Sequence, residues 1–165
     1  MRKQGKQKGF SLIELLIVVA IILIIAAIAI PNLLHARMSA NEASAVESIK
    51  AINTAEITFN SSYPTVGYAP TLGALGGASP CIPSSTTACI IPNDLAAGSK
   101  AGYNFTATGS GGPPASSYYA AAVPVTVNRT GIRSFCSRED ATIRVQPSGA
   151  AIPSEAACDA LLPLQ

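Results

Sequence analysis

The sequence predicts an α+β fold: a long N-terminal helix, apolar in its first half and amphipathic in its second, packed on a small antiparallel sheet. Three observations carry that expectation. A nearly unbroken apolar run extends from Gly9 to Pro31. Ala45, Ile49, Ile52, Ala55 and Phe59 then recur at steps of four, three, three and four, one apolar stripe at helical spacing. From Tyr103 onward, short alternating or apolar segments are separated by Gly- and Pro-rich turns, the pattern of antiparallel strands.

The chain begins with a short basic stretch, with Arg2, Lys3, Lys6 and Lys8 ahead of Gly9. Such bases mark the cytoplasmic side of a membrane segment. From Phe10 to Ile30 there are 21 residues, about 31 Å of helix, which is enough to span a bilayer. An ordinary secretory signal would close on a small-residue cleavage site. Here Ala27 and Ala29 lie inside the continuing apolar run. Glu14 interrupts that run near its start. A carboxylate in hydrocarbon costs about 3 kcal/mol and marks a functional candidate. Either it sits at the interface, or it meets a cation supplied by another molecule. Pro31 lacks an amide donor and clashes with the preceding turn, so it is expected to kink or locally melt the helix near Ala27 to Ile30.

Helical pattern resumes after Pro31, with Ser44, Glu47, Ser48, Lys50 and Thr54 largely off the apolar stripe. It ends at Tyr63-Pro64. One helix from about Ser11 to about Ser62, bent at Pro31, would be roughly 75–80 Å long. From Pro64 to Ala101 the chain is turn-rich, with short helical turns expected around Thr71–Leu75 and Asn93–Ala97. Strand patterns cover Tyr103–Thr108, Ser117–Val123, Ile132–Ser137 and Thr142–Val145, for three or four antiparallel strands. A last helical turn is expected within Ser154–Leu162. The domain boundaries are 1–9 for a leader, 10–31 for the membrane-spanning segment, 32–63 for the amphipathic continuation and 64–165 for a globular head. The head comprises a loop over 64–101, a sheet over 102–146 and a C-terminal segment over 147–165.

Composition narrows the function classes. The net charge of +2 comes from the four leading bases; from Phe10 onward seven bases face nine acids, a net of −2. No basic face remains for nucleic acid. Arg129, Arg133, Arg138 and Arg144 have Glu139 and Asp140 among them, as on a solvated mixed-charge face. Four cysteines behind an export segment imply disulfides in an oxidising compartment. Of three pairings, Cys81–Cys89 with Cys136–Cys158 is favoured, because each bridge ties down a weak local loop. Zinc is the lesser alternative, since no C-x-x-C occurs and His35 is remote. No nucleophile–base arrangement, phosphate loop or metal-ligand spacing stands out, so neither catalysis nor a cofactor or metal is expected.

The stretch Gly9-Phe10-Ser11-Leu12-Ile13-Glu14-Leu15-Leu16, followed by the apolar run to Ile30-Pro31-Asn32, resembles the class III signal of bacterial type IV pilins and type II secretion pseudopilins. The motif match covers residues 1 to about 60; beyond Tyr63 the likeness is one of architecture. The resemblance implies a pilin-like fold and cleavage between Gly9 and Phe10 by a prepilin peptidase, with N-methylation of Phe10. It implies that Glu14 pairs with the terminal amine of a neighbouring subunit, and that Pro31 lies in the region that extends on assembly. The partners implied are copies of the chain in a helical filament, the peptidase, an inner-membrane platform and an ATPase. The chain would be single-pass in the inner membrane before assembly and extracellular afterwards. A major pilin of a type IV pilus is the first expectation. A pseudopilin of a secretion or DNA-uptake system is the second, and Glu139-Asp140 and Asp159 are its only candidate calcium ligands.

Overall fold

The computed structural model describes residues 9–164. The leading bases therefore lie outside the described residues. Helix α1 spans Leu12–Ser62. The chain separates into two units, one ending at Ala36 and the other beginning at Arg37, and α1 contributes to both.

In the first unit α1 is built from Leu, Ile, Val and Ala with almost no polar interruption. Apart from half-buried Ala26, every side chain from Ser11 to Ala36 is exposed. Seventeen large apolar side chains from Phe10 to Leu34 stand uncovered. At roughly 1.5–3 kcal/mol each, leaving them in water would cost on the order of 30 kcal/mol. This segment is long and apolar enough to cross a membrane. Ala27 to Ile30 remain helical and α1 continues through Pro31, so the expected local melting does not occur. Proline removes only the one amide bond to the carbonyl four residues earlier. The surrounding apolar helix keeps its other internal bonds, which lipid or protein cannot replace more favourably.

The second unit pairs the rest of α1 with a sheet. Ala45, Ile49, Ile52, Ala55 and Phe59 are all buried. Ser44, Glu47, Lys50 and Thr54 stay on the outer side, but Ser48 is buried as well. The connector that follows holds α2 (Leu72–Leu75) and α3 (Asn93–Ala96), which contribute Leu75 and Leu95 to the same core. Six strands form an antiparallel sheet in chain order: β1 Ser99–Lys100, β2 Tyr103–Ser110, β3 Ser117–Pro124, β4 Ser134–Arg138, β5 Arg144–Gln146 and β6 Leu162–Pro163. The α+β expectation holds, with two more strands than the three or four expected. Both extra strands are two residues long, too short to show a period. Ala101 (φ 48°) and Gly102 (φ 76°) turn β1 into β2; both residues are left-handed, which matches the twist of a two-residue hairpin.

Alternation assigns the two faces of the sheet. In β2, Tyr103, Phe105 and Ala107 point into the core while Asn104, Thr106 and Thr108 point out. In β3, Tyr118, Ala120 and Ala122 join the α1 stripe, and Ala121 joins a second cluster with Cys136, Ile152 and Cys158. That second face is covered by the C-terminal arm. Its helix α4 (Glu155–Asp159) starts on Ser154, whose hydroxyl accepts from Ala157 N–H at 3.2 Å. The structure joins Cys136 to Cys158, and Cys81 to Cys89, each pair with Cα atoms 6.0 Å apart. Tyr119 donates its hydroxyl to the Ile152 carbonyl beside the first bridge.

A set of polar contacts fixes α1 to the β3–β4 connector. Glu42 accepts from the Ile132 and Arg133 amides at 2.8 and 3.1 Å and from the Arg133 guanidinium at 2.9 and 2.7 Å. Burial pushes the Glu42 carboxyl up, but these donors outweigh it and hold the group below the usual carboxylate range. Asn41 adds a bond to the Thr130 carbonyl at 2.8 Å. Gly131 is required within this connector, because a Cβ there would overlap the Tyr103 hydroxyl, which donates to the Arg133 carbonyl at 2.8 Å. Replacing Glu42 by Ala strands two amides and a guanidinium. It is expected to lower stability by about 2–4 kcal/mol, read as a shift in the denaturant midpoint at unchanged slope. A midpoint within error of the parent protein would count against this role for Glu42.

Candidate functional site

The candidate site begins where α1 begins. Gly9 and Phe10 precede the helix and are exposed, Phe10 at 84%. A Cβ on Gly9 would meet nothing within 4 Å, so the fold itself does not require glycine there. The helix opens with Leu15 N–H bonded to the Ser11 carbonyl at 3.2 Å. Glu14 stands in its first turn. There the positive end of the helix dipole favours a carboxylate by about 0.3–1 kcal/mol. Ser11 and Glu14 also stand at the spacing of a capping box. So Glu14 has a modest local reason to be acidic. That reason is smaller than the roughly 3 kcal/mol it costs to place the charge in hydrocarbon.

Pro31 lies inside α1, and His35 is exposed on the same helix four residues later. The candidate calcium ligands of the head are already engaged. Asp140 accepts from the Arg144 guanidinium at 2.7 Å, and Asp159 accepts from Arg138. The Arg144 bond, against the opposing effect of burial, leaves Asp140 below its ordinary range. Glu139 bonds Arg138 at 3.0 Å. Arg138 thus meets Glu139, Glu155 and Asp159, and Arg144 meets Asp140. Among the described residues, no group of three or more His, Cys, Asp or Glu side chains is arranged to hold a metal. Three polar residues that sequence reasoning left aside prove structural: Glu42, Asn53 and Glu56 are all buried. Glu56 was legible in part, since it lies four residues after Ile52 and three before Phe59, on the apolar side of the helix.

An exposed apolar helix follows Gly9-Phe10, carries an acid in its first turn and is followed along the chain by an antiparallel sheet. Residues 4–30 match the family model of the prokaryotic N-terminal methylation motif. The chain is similar to the type IV major pilin protein PilA of Myxococcus xanthus, at 41% identity over 79 residues, 44% of this chain and 36% of the relative. It is similar to the type II secretion system core protein G of Vibrio cholerae, at 41% over 68 residues, 39% of this chain and 47% of the relative. It is 71% identical over 35 residues to the type IV wide pilus major component PilA4 of Thermus thermophilus, 21% of this chain and 27% of the relative. The chain spans less than half the length of each of these relatives. No solved structure matches it.

Proposed function

We propose that this chain is a structural subunit, a major pilin, of a type IV pilus, and that it catalyses no reaction. Residues 1–9 are a leader that a prepilin peptidase removes between Gly9 and Phe10, with N-methylation of Phe10. Residues 10–31 anchor the subunit in the inner membrane and then form the filament core. Residues 32–63 carry the head, and residues 64–165 make up most of it. The observation that carries this reading is the uncovered apolar segment of α1, behind a glycine the fold does not need. Lipid covers that segment before assembly and copies of itself cover it afterwards, so a subunit exchanges one apolar environment for another. The platform and ATPase that drive the exchange are separate proteins.

The second reading, a pseudopilin, is favoured by the similarity to core protein G, of which the match spans 47%. Electron microscopy of sheared cell-surface material, with mass spectrometry of its main subunit, separates the two. Long fibres whose subunit starts at Phe10 support the pilin; absence of such fibres supports the pseudopilin. Replacing Gly9 by Val is expected to leave an uncut, membrane-retained precursor. Normal filaments from that variant would sink the cleavage site.

A further inference from the structure

The buried carboxyl of Glu56 has no role in the reading above, and the inference drawn from it does not depend on that reading. Its residue is fully buried in the core beneath the connector that follows α1. One oxygen accepts a single bond, from the Ala69 amide at 2.8 Å. The other oxygen has no partner among the described residues. The segment from Val66 to Ala69 acts as a strap. The Ala115 amide donates to the Val66 carbonyl at 2.8 Å, Tyr68 N–H donates to the Ala115 carbonyl at 3.1 Å, and Gly109 N–H donates to the Ala69 carbonyl at 2.9 Å. Glu56 therefore adds a side-chain bond from α1 to a strap that also rests on the β2–β3 hairpin and on the Tyr63 carbonyl, which accepts from the Val66 and Gly67 amides at 2.9 and 3.1 Å.

We propose that Glu56 is a pH-responsive latch, which holds this strap while its carboxyl is neutral and loosens it when the carboxyl ionises. The groups around it offer no compensation. Asn53, on the same helix, spends its carbonyl on the Tyr118 hydroxyl at 2.9 Å and its amide on the Ser137 hydroxyl at 2.9 Å. Tyr118 on β3 and Tyr68 on the strap lie with ring centroids 4.9 Å apart and ring planes tilted by 52°, and burial pushes the Tyr118 hydroxyl up. Glu139 and Asp140, after β4, add negative charge felt at Tyr118. None of these is a cation. A buried carboxylate with one amide donor and no cation is disfavoured relative to its acid form. Burial raises the Glu56 carboxyl from 4.5 to about 7, against the smaller opposing effect of the Ala69 amide. The folded state thus holds a proton that the unfolded chain has released. The contribution is complete below pH 4.5, weakens as pH rises, and is gone above about 7. Opening the strap lets water reach the charge, so local opening relieves the penalty without unfolding the head.

The test is amide hydrogen exchange on the full chain in detergent micelles between pH 5.5 and 8.5, expressed as protection relative to the intrinsic rate. Protection of the Tyr68, Ala69 and Gly109 amides is expected to fall more than about tenfold across that range, while the β4 amides stay constant. In Glu56→Gln the same amides should show no pH dependence. Equal pH dependence in both proteins, or none in the parent, overturns the proposal. A carbon-13 titration of the Glu56 carboxyl in the unmodified protein decides the matter if the variant does not fold. A midpoint near neutrality supports the latch and one in the ordinary glutamate range overturns it.

Discussion

Glu14→Ala is expected to yield a precursor that is still cut at Gly9 but few or no filaments. The proposed cut, between Gly9 and Phe10, lies outside the helix with four residues between it and Glu14, so a prepilin peptidase would still meet the same junction. Assembly differs. In the proposed fibre, the Phe10 amine of one subunit lies in apolar surroundings and takes Glu14 of a neighbour as its counter-ion. Removing one partner of a buried pair leaves the other charge uncompensated, at about 3–5 kcal/mol per contact. Each 1.4 kcal/mol is about tenfold in an equilibrium constant, so subunit addition weakens by roughly two to four orders of magnitude. A growing polymer multiplies that loss at every step. The measurement is the ratio of sheared surface fibre to processed subunit retained by cells. Glu14→Gln, which keeps the shape and removes the charge, should behave like Glu14→Ala. Fibre yield equal to the unmodified protein in both variants would reduce Glu14 to a helix-terminus residue.

The parts of the fold that rest on short-range period were legible before any coordinates. The stripe Ala45–Phe59 repeats at the helical period over several turns and the β2 alternation at the strand period, while the apolar run shows by its unbroken length. The helical turns at Leu72–Leu75 and Asn93–Ala96 sit between Gly and Pro punctuation that marks their ends. What escaped has no period to show. β1 and β6 have two residues each, and the β1–β2 turn uses Ala101 where Asn or Asp would have announced it. Glu42 and Arg133 are joined across 91 positions, and Asn53 and Ser137 across 84. Such pairs are chosen by the packed sheet and leave no local trace. Pro31 shows the converse: a local signal for melting is overridden by a long apolar helix that continues through it. The start of the candidate site was legible because Gly9, Phe10 and Glu14 are close in sequence. Glu56 was harder, because a carboxylate on an apolar face reads as an error of period until its burial is known.

Losing the Cys136–Cys158 bridge is expected to cost more than losing Cys81–Cys89. Both cysteines of the first pair are fully buried, between β4 and α4. The bridge closes a separation of 22 residues, against 8 for the other. Chain entropy alone makes that about 3 kcal/mol against about 2.5. Packing widens the gap. Without the bridge, the C-terminal arm is held over Ala121 and Ile152 by the Tyr119 hydroxyl, by Arg138 with Asp159 and Glu155, and by the short β5–β6 pairing. Those ion pairs are partly exposed and contribute little each. The Cys81 and Cys89 side chains, by contrast, are only half-buried beside Gly77, so truncating them leaves a smaller void. Replacing Cys136 and Cys158 together by Ala, in the full chain in detergent, should lower the melting temperature by roughly 10 °C. The Cys81/Cys89 double variant should fall by distinctly less. The reverse order of the two melting temperatures would mean that the arm over the second face is held by its hydrogen bonds and ion pairs, with the bridge adding little.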